Sequence, residues 1–175
     1  MNTFSKQAVK FKRIALGLGL ALTATVGANA TTAQNTFQVT ATITSSCTVS
    51  GSTLNFGSAI DPLAAGVPLD ATSALTVTCS NTTPYAVSLN AGTNAGGASN
   101  FTARTMKSGA NTLGYQLYLD SGRTTVFGDG TSSSSTKSGT GTGSSQTVNV
   151  YGRVPSLSGV VPGTYTDTVT VTITY

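Results

Sequence analysis

An all-β fold of the immunoglobulin-like β-sandwich type is predicted by three features of this sequence. Thr, Ser, Gly and Val are abundant and Glu is absent, a composition typical of β-proteins with many turns. No long segment after residue 30 has the 3.6-residue periodicity of an amphipathic helix. Short alternating segments instead recur at regular intervals between turn-forming residues, which indicates two packed antiparallel sheets.

The first 30 residues predict a secretory signal peptide that lies outside the fold. Lys6, Lys10, Lys12 and Arg13 form a basic region, residues 14–26 are an apolar run too short to cross a bilayer, and residues 28–30 read Ala-Asn-Ala, a cleavage signal. We expect cleavage after Ala30, export of the chain and no stable membrane insertion. An N-terminal membrane anchor is the alternative interpretation.

Removal of this segment leaves a chain with balanced charge. Four of the nine Lys and Arg residues lie in it, so five basic residues remain against five Asp. The sequence pI of about 9.3 therefore belongs to the precursor. This balance argues against a basic surface that binds nucleic acid. Low charge would suit a subunit packed in an assembly, because net charge keeps free proteins apart.

The two cysteines, Cys47 and Cys79, predict one disulfide, because an exported chain with a single pair usually oxidises it. On the chain-entropy model the bond would stabilise the fold by roughly 3–4 kcal/mol. Two free thiols or a metal pair are the alternatives, and the absence of His disfavours a metal site.

The strand candidate at residues 36–44 alternates strictly. Phe37, Val39, Ala41 and Ile43 share one face, and Thr or Gln occupies the other. A period of two predicts a strand with one buried face. The pattern leaves open whether this strand belongs to its own domain or to another molecule.

The later strand candidates are separated by loops and turns. Residues 61–70 and 92–100 read as loops, and the Ser/Gly/Thr-rich segment 128–146 reads as a mobile surface connection. In the last segment larger side chains alternate with threonines. The candidates are residues 47–49, 53–56, 74–79, 85–89, 101–107, 113–119, 124–127, 147–151 and 164–175.

No catalytic, cofactor-binding or metal site is predicted, and the expected protein is not an enzyme. The chain has no His and no Glu, so its many hydroxyl groups lack a His general base. Asp61, Asp120 and Asp129 occur in turns, where Asp commonly bonds the nearby backbone. One carboxylate at Asp129 cannot supply the several oxygen ligands that calcium needs.

A series of motifs, in order along the chain, resembles the spore coat protein U family, which includes Csu-type subunits of archaic chaperone–usher pili. One departure is Phe127, where many relatives would have Trp. The motifs are CTV at 47–49, LNFG at 54–57, LTVTC at 75–79, LGYQLYLD at 113–120, TTVFGDG at 124–130, VYGRVP at 150–155 and GTYTDTVTVTITY at 163–175.

The resemblance implies an incomplete immunoglobulin-like sandwich that lacks its last strand and is completed by a strand from a neighbouring subunit. It divides the chain into a signal peptide (1–30), a donor-strand extension (31–46) and a pilin domain (47–175). The implied donor residues are Phe37, Val39, Ala41 and Ile43. The implied acceptor residues, on the C-terminal strand beside the open groove, are Val169, Val171, Ile173 and Tyr175.

The same resemblance implies a structural subunit of an archaic chaperone–usher pilus that polymerises by donor-strand exchange. Its expected partners are identical or related pilins, a periplasmic chaperone and an outer-membrane usher. The expected location is the cell surface, reached through the periplasm, with a role in adhesion and biofilm formation. The alternative is a self-contained secreted spore-coat or carbohydrate-binding sandwich, in which residues 36–44 form the domain's own first strand.

Overall fold

A computed structural model describes Gly27, Ala30 and residues 31–175 of the chain. The rest of the expected signal peptide lies outside the described residues. The chain divides into two units, Met1–Ala41 and Thr42–Tyr175. In the first unit, the described residues are exposed and have no regular secondary structure. No helix among the described residues has both the length and the apolar character needed to cross a bilayer.

The second unit is all-β apart from one 3₁₀ turn, Phe101–Ala103, which confirms the predicted fold class. Its strands are β1 (Cys47–Gly51), β2 (Leu69–Cys79), β3 (Pro84–Leu89), β4 (Thr105–Ser108), β5 (Asn111–Gly114), β6 (Gln116–Tyr118), β7 (Lys137–Thr140), β8 (Ser145–Val154) and β9 (Val171–Thr174).

These strands form a four-stranded sheet of order β1-β2-β8-β6 and a three-stranded sheet of order β7-β3-β9, with β4 and β5 as a separate hairpin. All pairings between these strands are antiparallel. Alternate residues of both sheets meet in one core, because a strand turns every second side chain to the same face. The core includes Leu75 and Val77 from β2, Val87 and Leu89 from β3, and Val148 and Val150 from β8.

The predicted disulfide is present and joins Cys47 to Cys79 across the β1–β2 pair. The two residues are direct partners in the antiparallel register, with their Cα atoms 4.1 Å apart. The bond therefore fixes β1, an edge strand, to its only partner in the sheet.

Several strand predictions were wrong in detail. Residues 53–56 form no strand, and of the candidate 101–107 only residues 105–107 lie in a strand, β4. The candidate 113–119 is divided at Tyr115 into β5 and β6, which pair with different strands. Residues 124–127 make only isolated bridges, through Val126 and Phe127. Local alternation was read correctly, but pairing depends on tertiary neighbours that a period of two does not specify.

The low-complexity segment 128–146 is an ordered part of the sandwich, contrary to its prediction as a mobile connection. It contains β7, which pairs with β3, and it buries Ser134. Gly139 of β7 lies against the ring of Tyr85, where an added Cβ would stand 2.4 Å from Cζ. Glycine permits this close approach, so the composition that suggests disorder is here a packing requirement.

Residues 36–44 form no strand in the single chain, although their alternation predicts one. Phe37, Val39 and Ile43 are 88%, 82% and 92% exposed. A strand is stabilised by backbone pairing and by burial of one face, and this segment has neither within the described residues. It is therefore an apolar alternating segment without a partner.

Candidate functional site

An open groove of about 810 Å³ runs between the two sheets of the second unit. Its floor is apolar, formed by Leu75 and Val150 of the larger sheet, Leu89 of the smaller one and Leu117 of β6. Residues 51–58 form one wall, and residues 163–169 with Val171 form the other. A second cavity of about 270 Å³, lined by Ile60, Leu113 and Val160 among others, shares several wall residues with the groove.

Two apolar side chains of the first wall pack against β8 and hold this wall in place. Leu54 and Phe56 cover Gly152, where an added Cβ would lie 2.8 Å from Leu54 Cδ2 and 2.9 Å from Phe56 Cζ. The Ser52 hydroxyl also hydrogen-bonds the Ser73 hydroxyl of β2 at 2.8 Å. These contacts hold an irregular segment over the sheet without a strand pairing.

The second wall presents a free strand edge to the groove. Thr166 exchanges backbone bonds with Lys107, and the carbonyls of Thr168 and Thr170 accept bonds from Thr93 and Asn90. Successive residues of an extended chain direct their backbone groups to opposite sides. The peptide groups of the intervening residues therefore point the other way. Tyr165, Asp167 and Val169 have no backbone hydrogen-bond partner within the described residues.

Side chains on this wall follow the predicted alternation. Tyr165, Asp167, Val169, Val171 and Ile173 are all half-buried, whereas the threonines between them are exposed. The wall therefore offers an apolar face and unpaired backbone groups along the same stretch. That combination suits an added β-strand, since backbone pairing supplies affinity and alternate side chains supply specificity.

Asp167 is the one charged side chain in the groove wall, and it is the centre of a hydrogen-bond network. Its Oδ1 accepts bonds from Thr93 Oγ1 at 2.8 Å and from Asn94 Nδ2 at 2.9 Å. Its Oδ2 accepts a bond from the Tyr115 hydroxyl at 2.7 Å. The network ties the wall to the loop after β3 and to the break between β5 and β6.

The electrostatics around Asp167 preserve these bonds. Burial, and then the hydrogen bond to Asp167, raise the pKa of Tyr115, so its hydroxyl remains a proton donor. Behind it, the Arg104 side chain is 2% exposed and donates to the carbonyls of Asn90 and Phe127 at 2.7 and 2.9 Å. Burial lowers the pKa of Arg104 to about 10, which leaves the guanidinium charged at neutral pH.

The predicted acceptor residues divide between the groove and its surroundings. Val169 and Val171 line the groove. Ile173 pairs with Val87 in β9 and packs on the core beyond the groove, whereas Tyr175 lies outside β9 and is 56% exposed. Sequence reasoning missed the opposite wall, Leu54, Phe56 and Ile60. Leu54 and Phe56 lie in the strand candidate 53–56, but the local pattern does not indicate that they line a groove, and only the fold brings them and Ile60 to the site.

The four remaining acidic residues are structural, and one of them, Asp70, forms ion pairs with Arg123 and Arg153. Asp61, Asp120 and Asp129 each accept a hydrogen bond from a backbone amide two to five residues later, as their turn contexts predict. Among the described residues no group of three His, Cys, Asp or Glu side chains could hold a metal ion.

Comparison with known proteins places this architecture in a family. The model of the Spore Coat Protein U domain matches residues 33–172. The chain belongs to this family. The match includes residues 36–44 as well as the sandwich, so the exposed alternating segment is part of the family's sequence pattern.

The curated Protein U of Myxococcus xanthus is 36% identical over 133 residues, which cover 71% of this chain and 73% of that protein.

Among solved structures, the chain is similar to one in the CsuC–CsuE complex, a chaperone–tip adhesion subunit pre-assembly complex from the archaic chaperone–usher Csu pili of Acinetobacter baumannii. The identity is 28% and the TM-score is 0.55. The match covers 77% of this chain and 40% of that chain. The predicted resemblance to Csu-type pilus subunits is thereby confirmed.

Proposed function

We propose that this protein is a structural subunit of an archaic chaperone–usher pilus and that it polymerises by donor-strand exchange. The observation that carries the proposal is the pairing of two unsatisfied features in one chain. The groove has an unpaired strand edge at Tyr165, Asp167 and Val169. The segment 36–44 has the alternation of a strand and no partner of its own.

The two features match in length and chemistry. The wall 163–171 and the segment 36–44 are each nine residues long, which is about 30 Å when extended. Residues 31–46 carry no charge, and the groove floor is apolar. Burying Phe37, Val39 and Ile43 would contribute on the order of 5–9 kcal/mol before ordering costs, at about 1.5–3 kcal/mol each.

The proposal extends to partners and location. A periplasmic chaperone would cover the groove before assembly, because an open apolar strand edge promotes aggregation. An outer-membrane usher, cleavage of a signal peptide after Ala30 and a place on the cell surface belong to the same proposal. Adhesion and biofilm formation would follow from the fibre. The family membership and the Csu neighbour support this reading. The alternative of a self-contained coat protein needs residues 36–44 inside their own domain, and their exposure weighs against it.

A charge on the apolar face of the segment tests the proposal. Val39→Asp should block fibre growth, because the carboxylate would have to enter an apolar groove. Gln38→Asp is the matched control, since it adds the same charge to the opposite face one residue away. We expect the control to assemble and both variants to be recovered with the chaperone. Fibre formation can be followed by electron microscopy and by size-exclusion chromatography.

Two results would refute the donor role. In one, Val39→Asp assembles as readily as Gln38→Asp. In the other, Val39→Asp unfolds the domain and leaves no soluble chaperone complex, which would assign the segment to its own core.

A further inference from the structure

The larger sheet has an outer face that points away from the core and the groove. On β8, Val148, Val150 and Val154 are buried in the core, so alternation places the intervening side chains on the outer face. From Ser145 to Arg153 this face is about 26 Å long, at roughly 3.3 Å per strand residue. The β8 residues on the outer face are Ser145, Thr147, Asn149, Tyr151 and Arg153.

Two tyrosines lie side by side at one end of the outer face. Tyr118 of β6 is the direct antiparallel partner of Tyr151 of β8. Side chains at directly opposed positions can contact one ligand, because their Cβ atoms are about 4.5–5.5 Å apart. The Tyr151 ring lies along its strand, since Asn149 Nδ2 donates to the Tyr151 hydroxyl at 3.4 Å. Both tyrosines are half-buried, so part of each ring is open to solvent.

Two arginines beside these rings share a single carboxylate. Arg153 donates to Asp70 through Nε at 2.7 Å and through Nη2 at 2.9 Å, and Arg123 Nε lies 3.2 Å from the same carboxylate. Arg123 Cζ is 6.0 Å from the centre of the Tyr151 ring. Within the described residues, Arg123 Nη2 and Arg153 Nη1 have no hydrogen-bond partner, and neither atom is buried. Two guanidinium nitrogens therefore face solvent beside the tyrosines, and the cluster has one positive charge in excess.

Arg123 occupies a position where the backbone conformation would favour glycine. Its φ is 57°, in the left-handed region that residues with a side chain adopt at an energetic cost. Its Nε also donates to the Gly152 carbonyl of β8 at 3.2 Å, which fixes the guanidinium over the sheet. The loop after β6 therefore holds a positive charge beside the tyrosines in spite of backbone strain.

We propose that this end of the outer face binds an acidic polysaccharide, with Arg123 and Arg153 holding the carboxylate of a uronic acid and Tyr118 packing against the sugar ring. Guanidinium groups bind carboxylates through charge-assisted hydrogen bonds. The CH groups of a sugar ring pack on an aromatic face, while the tyrosine hydroxyl can bond the hydroxyl groups of the sugar. The site does not depend on the proposed donor-strand function, because it lies on the opposite face of the sheet from the groove.

The rest of the outer face favours a polysaccharide over a nucleic acid. The strands of the larger sheet contain no charged residues besides Asp70 and Arg153. A nucleic acid carries a phosphate on every nucleotide and binds through many cationic contacts, which this face does not provide. Thr147 and Asn149 are exposed and continue the face with hydroxyl and amide groups, which hydrogen-bond sugar hydroxyls.

Binding of a fluorescent oligogalacturonate to the exported chain, followed by anisotropy, tests this site. Arg153→Gln should weaken binding at least about tenfold, the loss expected for one hydrogen bond to a charged group. Lys137→Gln is the matched control, because it removes the same charge from β7 in the other sheet, and it should bind as the wild type does. Tyr118→Thr should weaken binding several-fold, whereas Tyr118→Phe keeps the ring and should retain most of the affinity. Urea unfolding of each variant checks that the fold is intact.

Other ligands separate the sugar from its charge. The methyl ester of the same oligosaccharide has no free carboxylate and should bind at least about tenfold more weakly. An oligoglutamate and an oligo(dT) of equal length should bind weakly as well, because neither presents a sugar carboxylate beside a pyranose ring.

Three results would overturn the inference. The wild-type chain could bind no oligogalacturonate. Arg153→Gln and Lys137→Gln could lose affinity equally, which would mean that binding follows net charge alone. The oligoglutamate or the oligo(dT) could bind as tightly as the oligosaccharide, which would assign the face to an acidic peptide or to a nucleic acid. Each of these results leaves the proposed function standing, since fibre growth is measured separately.

Discussion

Asp167 joins three parts of the domain through one carboxylate. Its oxygens accept hydrogen bonds from the side chain of Tyr115, at the break between β5 and β6. They also accept hydrogen bonds from the side chains of Thr93 and Asn94, in the loop after β3. Gly92 makes room for it, since an added Cβ there would stand 2.0 Å from Oδ2. A polar network of this kind specifies one arrangement of a wall that has no strand partner on its groove side.

Asp167→Asn should lower the free energy of unfolding by about 1–3 kcal/mol. The new amide NH₂ group would face groups that donate hydrogen bonds to the carboxylate. At least one of these part-buried groups would then have no acceptor. Asp61→Asn is the control, because it makes the same chemical change in an exposed loop, where the effect should stay within about 0.5 kcal/mol. Urea unfolding of the two variants measures the difference, and equal stabilities would show that the network does not support the wall.

The role of Asp167 was beyond the reach of sequence reasoning. Its alternation with Val169 and Val171 was visible, and that alternation is confirmed by their half-burial. Nothing in the local pattern indicates Tyr115 as its partner, because the two residues lie 52 positions apart and meet only through the sandwich. Likewise, Arg104 lies in the strand candidate 101–107, and the local pattern does not indicate that its side chain is buried.

At the level of strands, the period-two pattern predicts which side chains face the core better than it predicts which strands pair. The faces of β2, β3 and β8 follow it closely, because each has one side on the core. The pattern fails where the backbone turns between sheets, as at Tyr115. Composition also misleads in segment 128–146, where Gly139 is required by close packing against Tyr85.

Gly139→Ala tests the packing of β7. The new methyl group would meet the Tyr85 ring at 2.4 Å, so β7 must shift from β3 or the ring must leave the core. We expect a loss of about 1–3 kcal/mol in the free energy of unfolding. Gly66→Ala is the control, since no atom lies within 4 Å of its added Cβ. If Gly139→Ala leaves the free energy of unfolding unchanged, β7 is not tightly packed and the segment 128–146 is a loose connection.

At the scale of the whole molecule, the chain presents an open groove and an unpartnered strand segment. Both could be predicted in part: the segment from its alternation, and the open groove only through resemblance to a family whose membership is now shown. Periodicity could not reveal a missing strand, because a strand pattern is the same whether its edge is paired or free. The free edge is shown by the backbone hydrogen bonds of residues 165–169, which all lie on one side of the chain.

The association of the segment 36–44 with the groove is tested most directly by adding the segment as a free peptide to full-length Val39→Asp protein, whose own segment is disabled. The melting temperature of the protein should rise steadily with the concentration of the wild-type peptide, because a ligand that binds only the folded state stabilises it. A peptide carrying Val39→Asp should leave it unchanged. If the wild-type peptide at saturating concentration produces no rise, the groove does not accept this segment and the account is contradicted.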